Sequence, residues 1–167
     1  MKKMLCLPTV AVAMLLFMSP TAYAPPGGPH GPQTHIVTVG SSDIIGFPPG
    51  SDTNFSLIAI EDAQGNIHGQ WIDHFGGFSG LHMTVTCLEV VGNVAWVGGI
   101  ITGASPDLLE FIGTEAVTQC VDVGRTPLDP PDLLSFTFFD IPDPLQFCDG
   151  ETILPLFAIN AGQVRVR

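Results

Sequence analysis

The stretch VTCLEVVGNVAWVGGIIT, residues 85–102, constrains the fold more than any other part of the chain. Two apolar, β-branched runs meet at Gly92-Asn93, a residue pair suited to a two-residue hairpin turn. Such a turn sets Val91 opposite Val94, Glu89 opposite Trp96 and Cys87 opposite Gly98. In that register Val85, Cys87, Val91, Val94, Trp96 and Ile100 share one face, which reads as core. Gly98 leaves room there for whatever Cys87 bonds to.

The same grammar runs through the rest of the chain. Short runs of Val, Ile, Thr and Phe alternate with clusters of Gly, Pro, Asn and Asp, the pattern of an antiparallel all-β domain. About eight strands are predicted, near 35–40, 53–61, 66–75, 81–91, 94–102, 113–121, 133–139 and 162–167. Within them Trp71 and Phe75 fall on one side, and His68, Gln70 and His74 on the other. Leu134, Phe136 and Phe138 alternate with Ser135 and Thr137, and Val164 and Val166 alternate with Arg165 and Arg167. Helical promise is confined to residues 106–111, where Ser105 is placed to cap a single turn. The fold predicted is one antiparallel β-barrel or β-sandwich over residues 35–167. Aromatic girdles and long regular strands are missing from the pattern, which argues against a transmembrane barrel.

The N-terminus carries an address. Lys2 and Lys3, an apolar run from Met4 to Met18 and the triplet Ala22-Tyr23-Ala24 make a secretory signal peptide over residues 1–24. The apolar run is short for a membrane span, and Cys6 lies too early in it to be a lipid acceptor. Residues 25–34, PPGGPHGPQT, read as a flexible Pro/Gly-rich arm. A secreted or periplasmic location is therefore expected, without stable membrane insertion once the leader is cut.

Charge narrows the partners. The whole chain has a formal net charge of −11, and loss of Lys2 and Lys3 leaves three basic residues against 16 acidic, or −13. A field of that sign repels nucleic acid and anionic lipid. Three cysteines, Cys87, Cys120 and Cys148, outlast the leader, so an oxidising compartment would leave one disulfide and one spare thiol, buried and inert.

Taken with FCDG at 147–150 and the closing AGQVRVR, the hairpin resembles a group of small secreted bacterial β-rich proteins of unknown function. Members share a V-T-C-x-x-V-x-G-N-x-A hairpin, a later Asp-rich loop, a C-D-G and a terminal G-N-V-x-V-like strand. The likeness covers most of residues 53–167 and implies a shared fold without an activity. It also implies pairing of Cys87 with Cys148 and leaves Cys120 as the extra. This chain departs from the pattern in its loop, CVDVGRTPLDPPD, and in carrying Gln163 where Asn is usual.

Two constellations are candidates for metal. His68 and His74 are separated by roughly 20 Å of regular strand at about 3.3 Å per residue, too far to share an ion. His74 and His82 flank the loop GGFSG, residues 76–80, and a register pairing Trp71 with Val85 would set the two imidazoles opposite each other, half of a zinc site. Asp122, Asp129 and Asp132 lie in a Pro-rich loop whose carboxylates and carbonyls suit calcium. Solvent-facing histidines and a solvated turn are the simpler readings of the same residues. No nucleophile elbow, H-E-x-x-H or phosphate loop occurs. The expected function is a non-enzymatic exported module that binds or scaffolds an extracytoplasmic partner. The alternatives are a carrier of a small apolar ligand within the barrel, lined by some of the 11 Phe, and a zinc- or calcium-dependent hydrolase.

Overall fold

The structure, a computed structural model, describes residues 35–44, 54–75, 79–124, 129–139 and 147–167. The leader, the arm, residues 76–78 of the GGFSG loop and residues 125–128 of the Asp-rich loop lie outside the described residues. Nine strands form: β1 (His35–Ile44), β2 (Asn54–Glu61), β3 (Ile67–Phe75), β4 (Ser79–Val91), β5 (Val94–Ala104), β6 (Glu115–Val121), β7 (Leu133–Ser135), β8 (Phe138–Phe139) and β9 (Leu156–Val166). β1 to β7 and β9 close into an eight-stranded antiparallel barrel, in which β5 meets β6 and β9 lies between β7 and β1. β8 is an extra strand that pairs with β6 beyond the end of β7. Among the described residues no helix is long and apolar enough to cross a membrane, which says nothing of strands.

The hairpin at 92–93 forms in the expected register, with Val91 opposite Val94, Glu89 opposite Trp96 and Cys87 opposite Gly98. Gly92, at φ 63°, supplies the left-handed conformation that such a turn needs. The shared face differs from expectation. Val85 pairs with Gly99 while Cys87 pairs with Gly98, so β4 carries one extra residue at Thr86. A one-residue bulge turns every later side chain to the opposite face. Leu81, Met83 and Val85 therefore point inward with Leu88, whereas Trp96 belongs to a separate cluster outside the wall, Cys87 is buried but not part of the core cluster, and Val91 is 56% exposed.

Similar slips recur, and in β5 Thr102 is the surplus residue, since His82 pairs with Gly103 but Met83 with Ile101. β6 pairs Cys120 with Leu134 but Ala116 with Phe139, which leaves one surplus residue between β7 and β8. Leu134 and Phe139 face the core and Phe138 faces out, so the predicted alternation through Phe136 and Phe138 is correct only as far as the slip. In β9 Ile159 and Val164, five residues apart, are both buried in the barrel core. Their amides also both reach Asp132, and Gly162, at φ 115°, lies between them where the strand turns over. Near the C-terminus the alternation holds: Val164 is buried, Val166 is half-buried, and Arg165 and Arg167 are exposed.

The interior is filled by side chains from every strand of the barrel wall. Val37, Trp71, Leu81, Val97, Ile101 and Val164 are completely buried, and Met83 and Leu134 nearly so. Eight strands enclose a volume that side chains alone can fill. At one end the predicted helix is reduced to a single 3-10 turn, Leu109–Phe111, without a side-chain cap. Ser105 is employed otherwise: its hydroxyl accepts the Gly80 amide (3.1 Å) and donates to Asp107 (2.7 Å). Leu108 and Phe111 pack against the core, with the Phe111 ring 4.6 Å from that of Phe139.

Candidate functional site

Outside the barrel, residues 147–154 form a strap over β5 and β6. Strand alternation explains why they settle there. Positions 94 and 96 of β5 and 117 of β6 face outward and are apolar, an exposed stripe that needs a cover. Phe147, Cys148 and Leu154 supply it, packing with Trp96, Val117, Val94 and Phe138. Cys87 and Cys148 are joined, with Cα atoms 6.1 Å apart and a sequence separation of 61. The pairing that the resemblance implies is thus present. Two polar contacts fix the far end of the strap. The Trp96 indole N–H donates to the Thr152 carbonyl (2.6 Å), and the Leu154 amide donates to Gln119 Oε1 (2.9 Å). Between these anchors Ile153 is 82% exposed.

The third cysteine is separate from this arrangement. Cys120 is free and completely buried in the barrel core, with its Sγ 3.9 Å from the Ala95 carbonyl oxygen. Burial, aided by the nearby Asp132 carboxylate, pushes its thiol up to about 12, so little thiolate forms at neutral pH.

The Asp-rich loop closes the wall where strand pairing stops. Asp132 is buried, and its Oδ1 accepts the amides of Val123 (2.8 Å) and Gly124 (3.2 Å) while its Oδ2 accepts that of Val164 (2.8 Å). Its main-chain carbonyl accepts the Ile159 amide (3.0 Å). Asp122 Oδ2 accepts the Val166 amide (3.2 Å), and Asn93 Nδ2 donates to the Asp122 carbonyl (2.8 Å). Two carboxylates thereby stand in for missing rungs of the ladder between β6 and β9. Asp129 is exposed on the rim of an adjoining groove of about 610 Å³ between the loop and residues 159–163. The three aspartates do not gather about a common point: among the described residues no three His, Cys, Asp or Glu side chains are grouped as metal ligands.

His74 and His82 meet, although in a register different from the expected one. Trp71 pairs with Met83, because the strands run two residues further into the GGFSG loop, to Phe75 opposite Ser79. His74 accordingly faces Gly80 and His82 faces Ile72. The two imidazoles touch diagonally, edge to face, with ring centroids 6.3 Å apart, and both are exposed. Around them Gln70, Thr84, Thr86 and Thr102 are interspersed with Ile58, Ile72 and Ile100, so the outer face is uncharged but partly apolar. His68 is exposed on the same face of β3.

Sequence reasoning overlooked one group. Asp73 lies on the inward face of β3, is 3% exposed, and accepts a hydrogen bond from the Thr137 hydroxyl (2.6 Å). Removal from water pushes its carboxyl up to about 6, against the opposing pull of Thr137 and His74. Its period-two relation to Trp71 and Phe75 was the available signal. Trp71 itself is buried with an indole N–H that has no hydrogen-bond partner among the described residues. No family model, curated protein or solved structure matches the chain. The site defines a class by its form alone: an all-β barrel with a strap on its outer wall held by a disulfide.

Proposed function

We propose that this chain is an exported, non-enzymatic module that binds or scaffolds a partner outside the cytoplasm, and that it works from its outer surface. One observation carries the reading: buried side chains from every strand of the wall meet inside the barrel, while a disulfide-held element lies over its outer face. A carrier needs an enclosed space for its cargo, and Trp71, Met83 and Leu134 occupy that space here. Two of the polar groups that could be taken for catalysts are engaged in holding the fold, Asp132 by three amides and Ser135 by the Gln119 amide (2.9 Å). A disulfide joining strand to strap accords with an oxidising compartment, which the leader at residues 1–24 would provide. Membership of the group of small secreted β-rich proteins belongs to the same reading.

Native mass spectrometry of the protein purified from an exporting host without chelators tests it. The expected mass is that of residues 25–167 less two hydrogens. An added mass that leaves on unfolding would contradict the reading. An organic molecule would favour the carrier, and zinc or calcium would favour a metal centre at His74 and His82 or at Asp122, Asp129 and Asp132.

A further inference from the structure

We infer that the outer face around His74 and His82 is where a second copy of this chain docks, with one zinc ion held between the copies by an imidazole pair from each. The inference rests on the reading of the chain as a binding module and names its partner. Zinc in a closed site takes four ligands in a tetrahedron, imidazole nitrogen among them. One chain offers two imidazoles, and among the described residues no third His, Cys, Asp or Glu joins them. A two-fold axis through the ion repeats the pair and completes the four.

Strand register builds the pair. His74 on β3 faces Gly80 on β4, and His82 lies two positions further along β4, opposite another glycine, Gly103 of β5. A Cβ at position 80 would stand 2.6 Å from His74 Nδ1, so the His74 ring lies over Gly80, on the strand that carries His82. Gly80 has no left-handed backbone to account for it, and a glycine inside a strand weakens that strand. What it does here is leave the His74 imidazole its place. The two ring centroids are 6.3 Å apart, and both rings are exposed. With zinc–nitrogen bonds of about 2.0–2.1 Å, two imidazoles on one tetrahedral ion have centroids about 5 Å apart, so the rings need to close by roughly 1 Å. Exposed side chains make that adjustment by small rotations about χ1 and χ2.

The surroundings of the pair explain why the other two ligands come from this same chain. Its formal net charge is −11, so two copies repel one another over most of their surface. Among the described residues, no outward side chain of β2, of β3 or of β4 as far as Thr86 is Asp, Glu, Lys or Arg. Asp107, near the start of β4, is engaged by the hydroxyls of Ser79 and Ser105. Two copies therefore meet on this face without setting carboxylate against carboxylate. Ile58 is 40% exposed, Ile100 is 37% exposed, and Ile72 is half-buried beside His82, which gives the contact apolar surface. A barrel wall is convex, and two such walls touch along a strip, short of the roughly 1,200–2,000 Å² that a stable interface buries. The shared ion makes up for the missing area.

The test is sedimentation velocity of the intact, oxidised protein, first with a chelator and then with added zinc chloride. The chelated protein is expected to sediment as one chain, and zinc should double its mass at one ion per two chains. His74→Ala and His82→Ala each remove two of the four ligands and should hold the protein at one chain in zinc. His68→Ala, on the same face but outside the pair, should dimerise like the parent. Magnesium and calcium, which take oxygen ligands, should leave the mass unchanged. All three substitutions lie on exposed side chains, and an unchanged far-ultraviolet spectrum confirms the fold. A mass that zinc does not change, or a zinc dimer that survives His74→Ala or His82→Ala, overturns the inference and leaves the binding-module reading standing. Zinc held tightly by a single chain, one ion to each, overturns the inference and contradicts that reading as well.

Discussion

Two clusters of apolar side chains hold this molecule, and they are built on different principles. The inner one is enclosed by eight strands and contains Trp71, whose indole N–H has no partner among the described residues. The outer one is small, centres on Trp96, Val117 and Phe147, and is kept together by a disulfide and two hydrogen bonds. The inner cluster is a consequence of closure, since an eight-stranded wall excludes water whatever lies on its outside. The outer cluster is a consequence of attachment, because a loop of this length buries too little surface to stay down unaided. Mechanical stability belongs to the first, and the presentation of a rigid exposed segment to the second.

The largest effect should come from opening the inner cluster. Leu81→Ala is expected to cost roughly 3–5 kcal/mol in urea unfolding, with every spectroscopic probe moving together. A cost near 1 kcal/mol would mean that the barrel is not the source of stability. Removal of the disulfide in a Cys87→Ser, Cys148→Ser double variant should cost about 2–4 kcal/mol. Cys120→Ala, which alters no crosslink, should cost less, and the native protein should resist thiol reagents at Cys120.

A third comparison separates the seam from its rim. Asp132→Ala strands three amides, that of Val164 buried and those of Val123 and Gly124 partly so, and should cost on the order of 2–3 kcal/mol, whereas the exposed Asp129→Ala should change thermal unfolding little. Equal effects would show that the loop acts as a unit, as a calcium site would.

Next in size is a dependence on pH. The folded state holds the Asp73 proton up to about pH 6, above its ordinary value of 3.8. Stability from this group is therefore fully present below about pH 4 and is lost as pH rises through about 6. The loss is on the order of 2–3 kcal/mol. Asp73→Asn keeps an oxygen for the Thr137 hydroxyl, so it should flatten that decline and leave the protein more stable than the parent at pH 8. The smallest effect is expected for Trp96→Phe, about 1 kcal/mol for the hydrogen bond to Thr152, together with faster proteolysis of the strap.

Much of the fold could be read from residue order, and the failures share a cause. Strand positions and the register at Gly92-Asn93 follow from turn chemistry and β-branched runs, which act locally. Facing goes astray wherever a surplus residue intervenes: at Thr86, between Leu134 and Phe138, and near Gly162. A bulge has no local hydrophobic signature, since it is chosen by the curvature of a closing barrel. For that reason Cys87 and Trp96 read as interior residues, whereas Trp96 is buried against the outside of the wall and Cys87 is no part of the core cluster. The histidine pair was legible as a neighbour relation but not in its register. Asp132 was visible as a candidate ligand, yet its three amide partners come from β9 and from the exit of β6, which no local pattern joins.

The chain contains two tryptophans, so one proton spectrum resolves the inner and outer clusters through their indole N–H signals. Hydrogen exchange of those two protons, before and after reduction of the disulfide, tests the division most directly. The account predicts slow exchange for Trp71 that reduction leaves unchanged, and exchange at Trp96 that accelerates as the strap lifts from the wall. Acceleration of both protons together would mean that strap and barrel form one cooperative unit, and the division between a closed interior and an attached outer element would fall.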